Sequence, residues 1–323
     1  MFHNELRLRV NRVMPEAEGV LSFELVAADG GALPSFEAGS HLDIHLPGGL
    51  VRQYSLCNDP AETHRYVIAV QLAEHSRGGS RALHERVRPG DVLLARPPRC
   101  GFPLMHARGY LLVAGGIGIT PLLSMAHVLS RQKAPWHLHY CTRSPEHTAF
   151  RELLASPAFA GHVTLHHDGG EASRRLDVKA LFAQRSGGTR LYCCGPAGLM
   201  RAVKEAATRH EWPQEKIHFE AFSSEGAGGT GGRTDTEFQV VIRSTGARYP
   251  VPPGRTVLTV LRQNGLRVSS DCEAGSCGAC LTNVLEGEPD HRGSFVPESP
   301  RPSPRCMLLC VSRARSSQLV LDL

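Results

Sequence analysis

The chain has 323 residues, 41% of them hydrophobic, with ten cysteines and a formal net charge of +5. That length allows two or three domains. The charge is modest and scattered without a basic run, which predicts no nucleic-acid partner. The opening residues Met1-Phe-His-Asn-Glu-Leu-Arg-Leu-Arg-Val10 lack an apolar h-region, and no long apolar run follows. Neither a signal peptide nor a membrane span is therefore expected. Cysteines without an export signal predict a reducing, cytoplasmic setting and metal ligation in place of disulfides.

Taken in chain order, the first hundred residues predict short strands at Arg7–Val10, Val20–Val26, His41–Leu46, Arg52–Leu56 and Tyr66–Leu72. Turns rich in Pro, Gly and Asp separate them, the pattern of a small antiparallel β-barrel. From about residue 110 strands and helices alternate, which predicts an α/β domain with a parallel sheet. Tyr110–Ala114 is a buried-type strand followed at once by Gly115-Gly116-Ile-Gly118. Thr120 is placed to N-cap the next helix, with Pro121 in its first turn and Leu122, Met125, Ala126 and Leu129 on its inner face. A glycine turn leading into a helix N-terminus offers bare N–H groups to a pyrophosphate. Pro121 stands where a dinucleotide fingerprint has its third glycine, so a tight turn with nothing bound remains an alternative. Leu191-Tyr-Cys-Cys194-Gly195-Pro196 repeats the strand–turn–helix logic, with Cys194 either at a ligand edge or a packing cysteine.

Ser223–Gly232 holds Gly or Ala at six of its ten positions and no large apolar residue. It predicts a flexible linker. The module beyond it opens and closes on strands, Phe238–Arg243 and Gln318–Leu323, with a short helix over Thr256–Gly265 that turns Leu258 and Leu261 inward. Between them lies Cys272-Glu-Ala-Gly275-Ser-Cys277-Gly278-Ala-Cys280, followed by Cys310 after 29 intervening residues. The spacing C-x4-C-x2-C…C is the plant-type ligand set of a [2Fe–2S] cluster. A zinc site would show two short pairs instead. Gly275 and Gly278 suit a loop that wraps metals. Cys306 is a rival fourth ligand by spacing alone. From Thr236 onward ten Arg stand against eight Asp and Glu with no Lys, so electrostatic steering of this module is expected to be weak.

With these residues in view the chain resembles the phthalate dioxygenase reductase family, within the ferredoxin–NADP reductase superfamily. The resemblance spans the whole chain: Arg52-Gln-Tyr54-Ser55, Gly78-Gly79-Ser80, Gly115–Pro121, Cys194-Gly195-Pro196, Phe219-Glu220-Ala-Phe222 and Cys310-Val-Ser-Arg-Ala. It implies an FMN-binding β-barrel (1–104), an NAD-binding α/β domain (105–224), a Gly-rich linker (225–236) and an α+β, β-grasp [2Fe–2S] ferredoxin domain (237–323).

The resemblance assigns Arg52, Tyr54, Ser55, Gly78, Gly79, Ser80 and Phe222 to FMN. It assigns Gly116, Gly118, Thr120, Cys194, Gly195, Pro196 and Asp168 to NADH, with Ser55, Thr120, Cys194 and Glu220 nearest the chemistry. It favours Cys310 over Cys306 as the ligand that joins Cys272, Cys277 and Cys280. Arg52 would meet a phosphate as a planar fork. Arg143 and Ser144 are of a type that holds the extra phosphate of NADPH, whereas Asp168 suits the ribose of NADH. His166 and His167 lack a third ligand at metal spacing.

The function implied is a monomeric reductase that carries electrons from NADH through FMN and [2Fe–2S] to a separate Rieske-type terminal oxygenase. Alternatives of the same architecture are an NADPH- or FAD-dependent reductase of another monooxygenase, or a non-catalytic redox sensor.

Overall fold

The computed structural model describes residues 5–46, 50–74, 78–183, 187–222, 235–266, 268–269, 275, 278–293 and 306–323. They form two compact units, Met1–Glu220 and Ala221–Leu323.

The first unit begins with β1 (Leu6–Ala17), β2 (Val20–Ala27), β3 (Ser40–Leu46), β4 (Leu50–Ser55), β5 (Tyr66–Gln71), helix α1 (Gly79–Arg86), β6 (Val92–Ala95) and β7 (Arg99–Cys100). The strands make one seven-stranded sheet in the order β4-β3-β6-β1-β2-β5, with β7 beside β3. Neighbours are antiparallel, and Leu56 just beyond β4 bridges Ile68 of β5, so the two ends of the path meet. Alternation drives the pairing: Leu8 and Val10 are fully buried while Arg7 and Arg9 point outward. Gly19, at φ +70°, turns the hairpin between β1 and β2.

Two differences from expectation stand out. The first strand is three times longer than the four residues read from the sequence, running through Pro15 beside a register shift that absorbs the ring. β6 and β7 were not expected, because Val92–Ala95 is short and β7 has only two residues.

The same unit continues with β8 (Gly109–Gly115), α2 (Ile119–Arg131), β9 (Trp136–Thr142), α3 (Arg151–Leu154), β10 (Val163–His167), α4 (Val178–Ala183), β11 (Thr189–Cys194), α5 (Ala197–Arg209) and β12 (Ile217–Glu220). All five strands are parallel, in the order β10-β9-β8-β11-β12. The chain therefore winds outward from β8 on one side, then returns to β11 and winds outward on the other. One sheet face packs Leu112, Leu138 and Tyr192 against Leu122, Met125, Ala126 and Leu129 of α2. The other packs Val113, Leu191 and Cys193 against Phe182, Val203 and Ala206.

The second unit contains β13 (Phe238–Ile242), β14 (Arg248–Val251), α6 (Val257–Gln263), β15 (Leu281–Glu286), β16 (Pro289–Asp290), β17 (Cys306–Leu308), β18 (Arg313–Ala314) and β19 (Gln318–Leu321). Its main sheet runs β14-β13-β19-β15-β17, with β13 parallel to β19 at its centre, and β16 pairs with β18. Thr256 caps α6 by accepting the Thr259 N–H at 3.1 Å. Leu258 and Leu261 are buried against Phe238, Val240 and Leu319. Among the described residues no helix is long and apolar enough to cross a membrane.

Candidate functional site

Arg52, Tyr54 and Ser55 lie on β4, and alternation sends neighbouring side chains to opposite faces. Arg52 lies against the start of α1. A Cβ on Gly79 would sit 2.7 Å from Arg52 Cγ, and one on Gly78 would sit 2.8 Å from a methyl of Leu50. Gly78 also takes φ +91°. Glycine is favoured at Gly78 by its φ and leaves Arg52 room against Gly79, so the start of the helix lies beside a guanidinium. That donor set fits a phosphate. Ser80 Oγ accepts the Ala73 N–H at 3.2 Å. Tyr54 is half-buried, and burial pushes its phenol pKa upward, so the ring is a neutral packing surface.

A second set lies along the carboxyl ends of β8, β9, β10, β11 and β12. Here Gly115, Gly118 and Gly195 do a specific steric job. A Cβ on Gly118 would fall 2.3 Å from the Cys194 carbonyl oxygen, and one on Gly195 would fall 2.9 Å from Gly115 Cα. The turns after β8 and β11 therefore touch backbone to backbone, which only glycine permits. This is the point where the winding reverses, the place where open α/β sheets bind ligands. Gly116, at φ +53°, meets nothing closer than Gln71 Oε1 at 3.9 Å, so its backbone is open to an approaching group.

Thr120 is not the N-cap expected from the sequence. A 3-10 turn over Gly116–Gly118 leads directly into α2, Gly118 takes the cap position, and Thr120 is the second residue of the helix, with its hydroxyl donated to the Ile117 carbonyl at 3.1 Å. The backbone contact at Gly118 sets the helix start, ahead of the capping preference of Thr.

The two sheets converge at Glu220. Its Cα pairs with Cys194 across β11 and β12, and its carboxylate accepts a hydrogen bond from Ser55 of β4. Oε2 is sealed from solvent with no hydrogen-bond partner among the described residues. Burial pushes the Glu220 pKa up to about 8, only partly offset by Ser55, so its carboxyl carries a proton at neutral pH. Cys194 is fully buried, and burial together with Glu220 and Cys193 keeps its thiol protonated. Burial also raises the thiol pKa of Cys100 of β7, and Glu220 adds to this once its carboxyl ionises. Nothing in the local pattern around Arg99-Cys100-Gly101 pointed to this. An orphaned buried carboxylate oxygen beside a serine hydroxyl fits a site that receives a polar ring.

Asp168 lies at the carboxyl end of β10. Its Oδ1 accepts the Gly170 N–H at 2.9 Å, and Arg175 lies 3.6 Å from its Oδ2. Ser144 donates to Glu146 at 2.6 Å. His166 and His167 go to opposite faces, His166 meeting His139 at 3.0 Å and His167 meeting Thr142 at 3.0 Å. Phe222 is 43% exposed. A groove of about 720 Å³ lined by Arg108, Gly109, Trp136 and Thr189 lies at the opposite, amino-terminal edge of the sheet, away from the glycine turns.

In the second unit Cys272 and Cys277 lie outside the described residues. Cys280 and Cys310 are buried with their sulfurs 3.2 Å apart, well beyond the length of about 2.05 Å of a disulfide. The sulfur that meets Cys280 belongs to Cys310, while Cys306 sits in β17 opposite Asn283. Two buried thiols converging in an apolar wall fit a shared metal centre. Among the described residues no group of three metal-binding side chains is assembled. Gly275 and Gly278 take φ +75° and +76°.

Comparison with known proteins adds the following. Residues 240–315 match the 2Fe-2S iron-sulfur cluster binding domain, and residues 93–217 match the N-terminal domain of dimethylamine monooxygenase subunit DmmA-like proteins. The chain is 44% identical to a vanillate O-demethylase oxidoreductase of a Pseudomonas species, over 95% of this chain and 96% of that one. It is 42% identical to a phthalate dioxygenase reductase of Burkholderia cepacia, over 98% and 97%. The solved structure of a phthalate dioxygenase reductase, described as modular for electron transfer from pyridine nucleotides to [2Fe–2S], superposes with a TM-score of 0.79. It covers 99% of this chain and 98% of its own at 40% identity.

Proposed function

The chain belongs to the phthalate dioxygenase reductase family and is an iron–sulfur oxidoreductase; on that premise we propose that it passes electrons from NADH through FMN and a [2Fe–2S] cluster to a separate Rieske-type aromatic-ring oxygenase or O-demethylase. A bound flavin supplies the conversion between the paired electrons of a nicotinamide and the single electrons of a cluster. The observation that carries this reading is the meeting of Ser55, from the antiparallel sheet, with Glu220 and Cys194, from the parallel sheet. It supports a closed FMN barrel over 1–104 set against an NAD domain over 105–224; the same reading takes 225–236 as a linker and 237–323 as a β-grasp ferredoxin domain.

In this reading Arg52, Gly78, Gly79 and Ser80 hold the FMN phosphate, and Tyr54 and Phe222 flank the ring. Ser55 hydrogen-bonds at the ring edge, and Glu220 holds a proton beside it. Gly116, Gly118, Thr120, Gly195 and Pro196 shape the nicotinamide crevice, with Cys194 as its neutral floor. Asp168 takes the ribose. Ser144 is engaged by Glu146, an acid that would repel the extra phosphate of NADPH, which favours NADH. Cys272, Cys277, Cys280 and Cys310 hold the cluster. The sequence has no Cys-x-His pair of the Rieske type, so oxygen chemistry belongs to a partner. A cytoplasmic monomer completes the proposal.

The test uses the purified chain. Acid-released flavin should have the mass of FMN, and the reduced protein should give a [2Fe–2S] electron paramagnetic resonance signal. NADH should drive cytochrome c reduction with a much higher kcat/KM than NADPH. A chain that carries no flavin, or binds one without oxidising NADH, would defeat the proposal.

A further inference from the structure

A set of charged side chains joins the start of the second unit to the segments around the cysteines. Asp235 Oδ1 accepts from Arg292 Nη2 at 2.9 Å, and Asp235 Oδ2 lies 3.4 Å from Arg313 Nε. Arg292 also reaches Asp290 at 2.8 Å, and Asp290 in turn faces Arg315 at 3.7 Å. Arg313 is only 4% exposed. Its Nη2 donates to the carbonyls of Thr236 at 3.0 Å, Pro252 at 3.2 Å and Val251 at 3.5 Å, and its Nη1 donates to that of Arg255. The guanidinium lies over the Phe238 ring, 5.1 Å from its centroid. A buried guanidinium survives only with its donors used and its charge matched, and here both conditions are met.

The places these side chains tie together are specific. Asp235 and Thr236 are the last two residues of the Gly-rich linker, 225–236. Arg292 precedes Gly293, and its backbone is locked to Ser312: the Ser312 hydroxyl accepts the Arg292 N–H at 3.1 Å and donates to the Arg292 carbonyl at 3.2 Å. Val311 lies between Cys310 and Ser312. Gly275, inside the Cys272–Cys277 loop, packs on both of these segments: a Cβ there would lie 2.7 Å from a methyl of Val311 and 2.9 Å from Gly293 Cα. The two segments that pack on Gly275 are thus the ones that the ion pairs join.

From this juxtaposition we propose that Asp235, Arg292 and Arg313 act as positioning residues for the cluster. They brace these two segments, the walls against which Gly275 packs, and tie the end of the linker to them. The proposal rests on the reading of Cys272, Cys277, Cys280 and Cys310 as ligands. Asp235 does two things here. It fixes the guanidinium pair in place, and its charge offsets two cations beside the cluster. Its neutralisation therefore loosens the walls and leaves uncompensated positive charge, which favours the reduced, more negative cluster.

The test uses the full holoprotein with Asp235→Asn, Asp235→Glu and Arg313→Lys, and with Glu237→Gln as an exposed control nearby. The readouts are the rate at which a chelator bleaches the cluster absorbance, the line shape of the reduced-cluster resonance signal and the cluster midpoint potential. Asp235→Asn and Arg313→Lys should bleach faster by about tenfold, because each leaves a buried charge-assisted bond unmade. Asp235→Asn should also raise the potential. Asp235→Glu should restore most of both, and Glu237→Gln should match the wild type. NADH-driven ferricyanide reduction, which needs flavin alone, should not change. Wild-type bleaching and line shape in both Asp235→Asn and Arg313→Lys overturn the brace while leaving the cluster reading intact. A wild-type chain with no cluster signal overturns both.

Discussion

Glu220 and Asp235 are both carboxylates drawn away from water, and they end in opposite protonation states. Glu220 has one serine donor and an orphaned oxygen, so burial dominates and its pKa rises to about 8. For Asp235 partial burial also opposes ionisation, but the hydrogen bond from Arg292 and the charges of Arg313 and Arg292 outweigh it and hold the carboxyl below its ordinary range. The first region is therefore built to keep a proton near neutrality, the second to keep a fixed charge. The difference lies in the number of cationic donors within reach.

The comparison breaks most sharply at the sulfurs. Cys310→Ser should abolish the cluster absorbance and cytochrome c reduction, while Cys306→Ser should leave both within about twofold, since of these two sulfurs it is that of Cys310 that meets Cys280. Equal loss in both variants would reopen the choice of ligand.

In the first region Gly118→Ala should destabilise the chain by about 1–3 kcal/mol and raise KM for NADH, because its Cβ has no space beside the Cys194 carbonyl. Denaturant unfolding and steady-state kinetics read the two effects.

The finest distinction is in pH. Between the ordinary carboxylate value of 4.5 and about 8, folded Glu220 keeps a proton that the unfolded chain releases, so its contribution to stability falls as pH rises through that window. Glu220→Gln should flatten the slope by at most about 1.4 kcal/mol per pH unit in the flavin-free chain. Asp235 runs the other way. Its stabilisation is present above its ordinary carboxylate value and is lost as pH falls through the depressed one, so Asp235→Asn should flatten only the acid limb. A Glu220→Gln chain with an unchanged slope between pH 5 and 8 would remove the proton-holding role.

Much of this was legible in the residues. The strand-to-helix switch near Tyr110, the glycine turns, the terminal strands of the second unit and the inward Leu258 and Leu261 all follow from periodicity and turn chemistry. Other features were not. β7 has two residues and no pattern of its own. Thr120 looked like a cap until the backbone contact of Gly118 moved the helix start. Asp235 was not singled out, because it stands at the end of a Gly-rich linker and belongs to no motif. Its partners lie 57 and 78 positions away in the sequence, at Arg292 and Arg313.

The sequence by itself determined the order of strand-rich and strand–helix segments, the glycine and cysteine spacings and the family, because these are properties of neighbouring residues and their chemistry. The tertiary structure alone decided which sulfur faces Cys280, why Gly115, Gly118 and Gly195 cannot carry a side chain, and which carboxylate is protonated. Each depends on how close two distant segments come, and both steric exclusion and the electrostatics of buried groups are set by that distance.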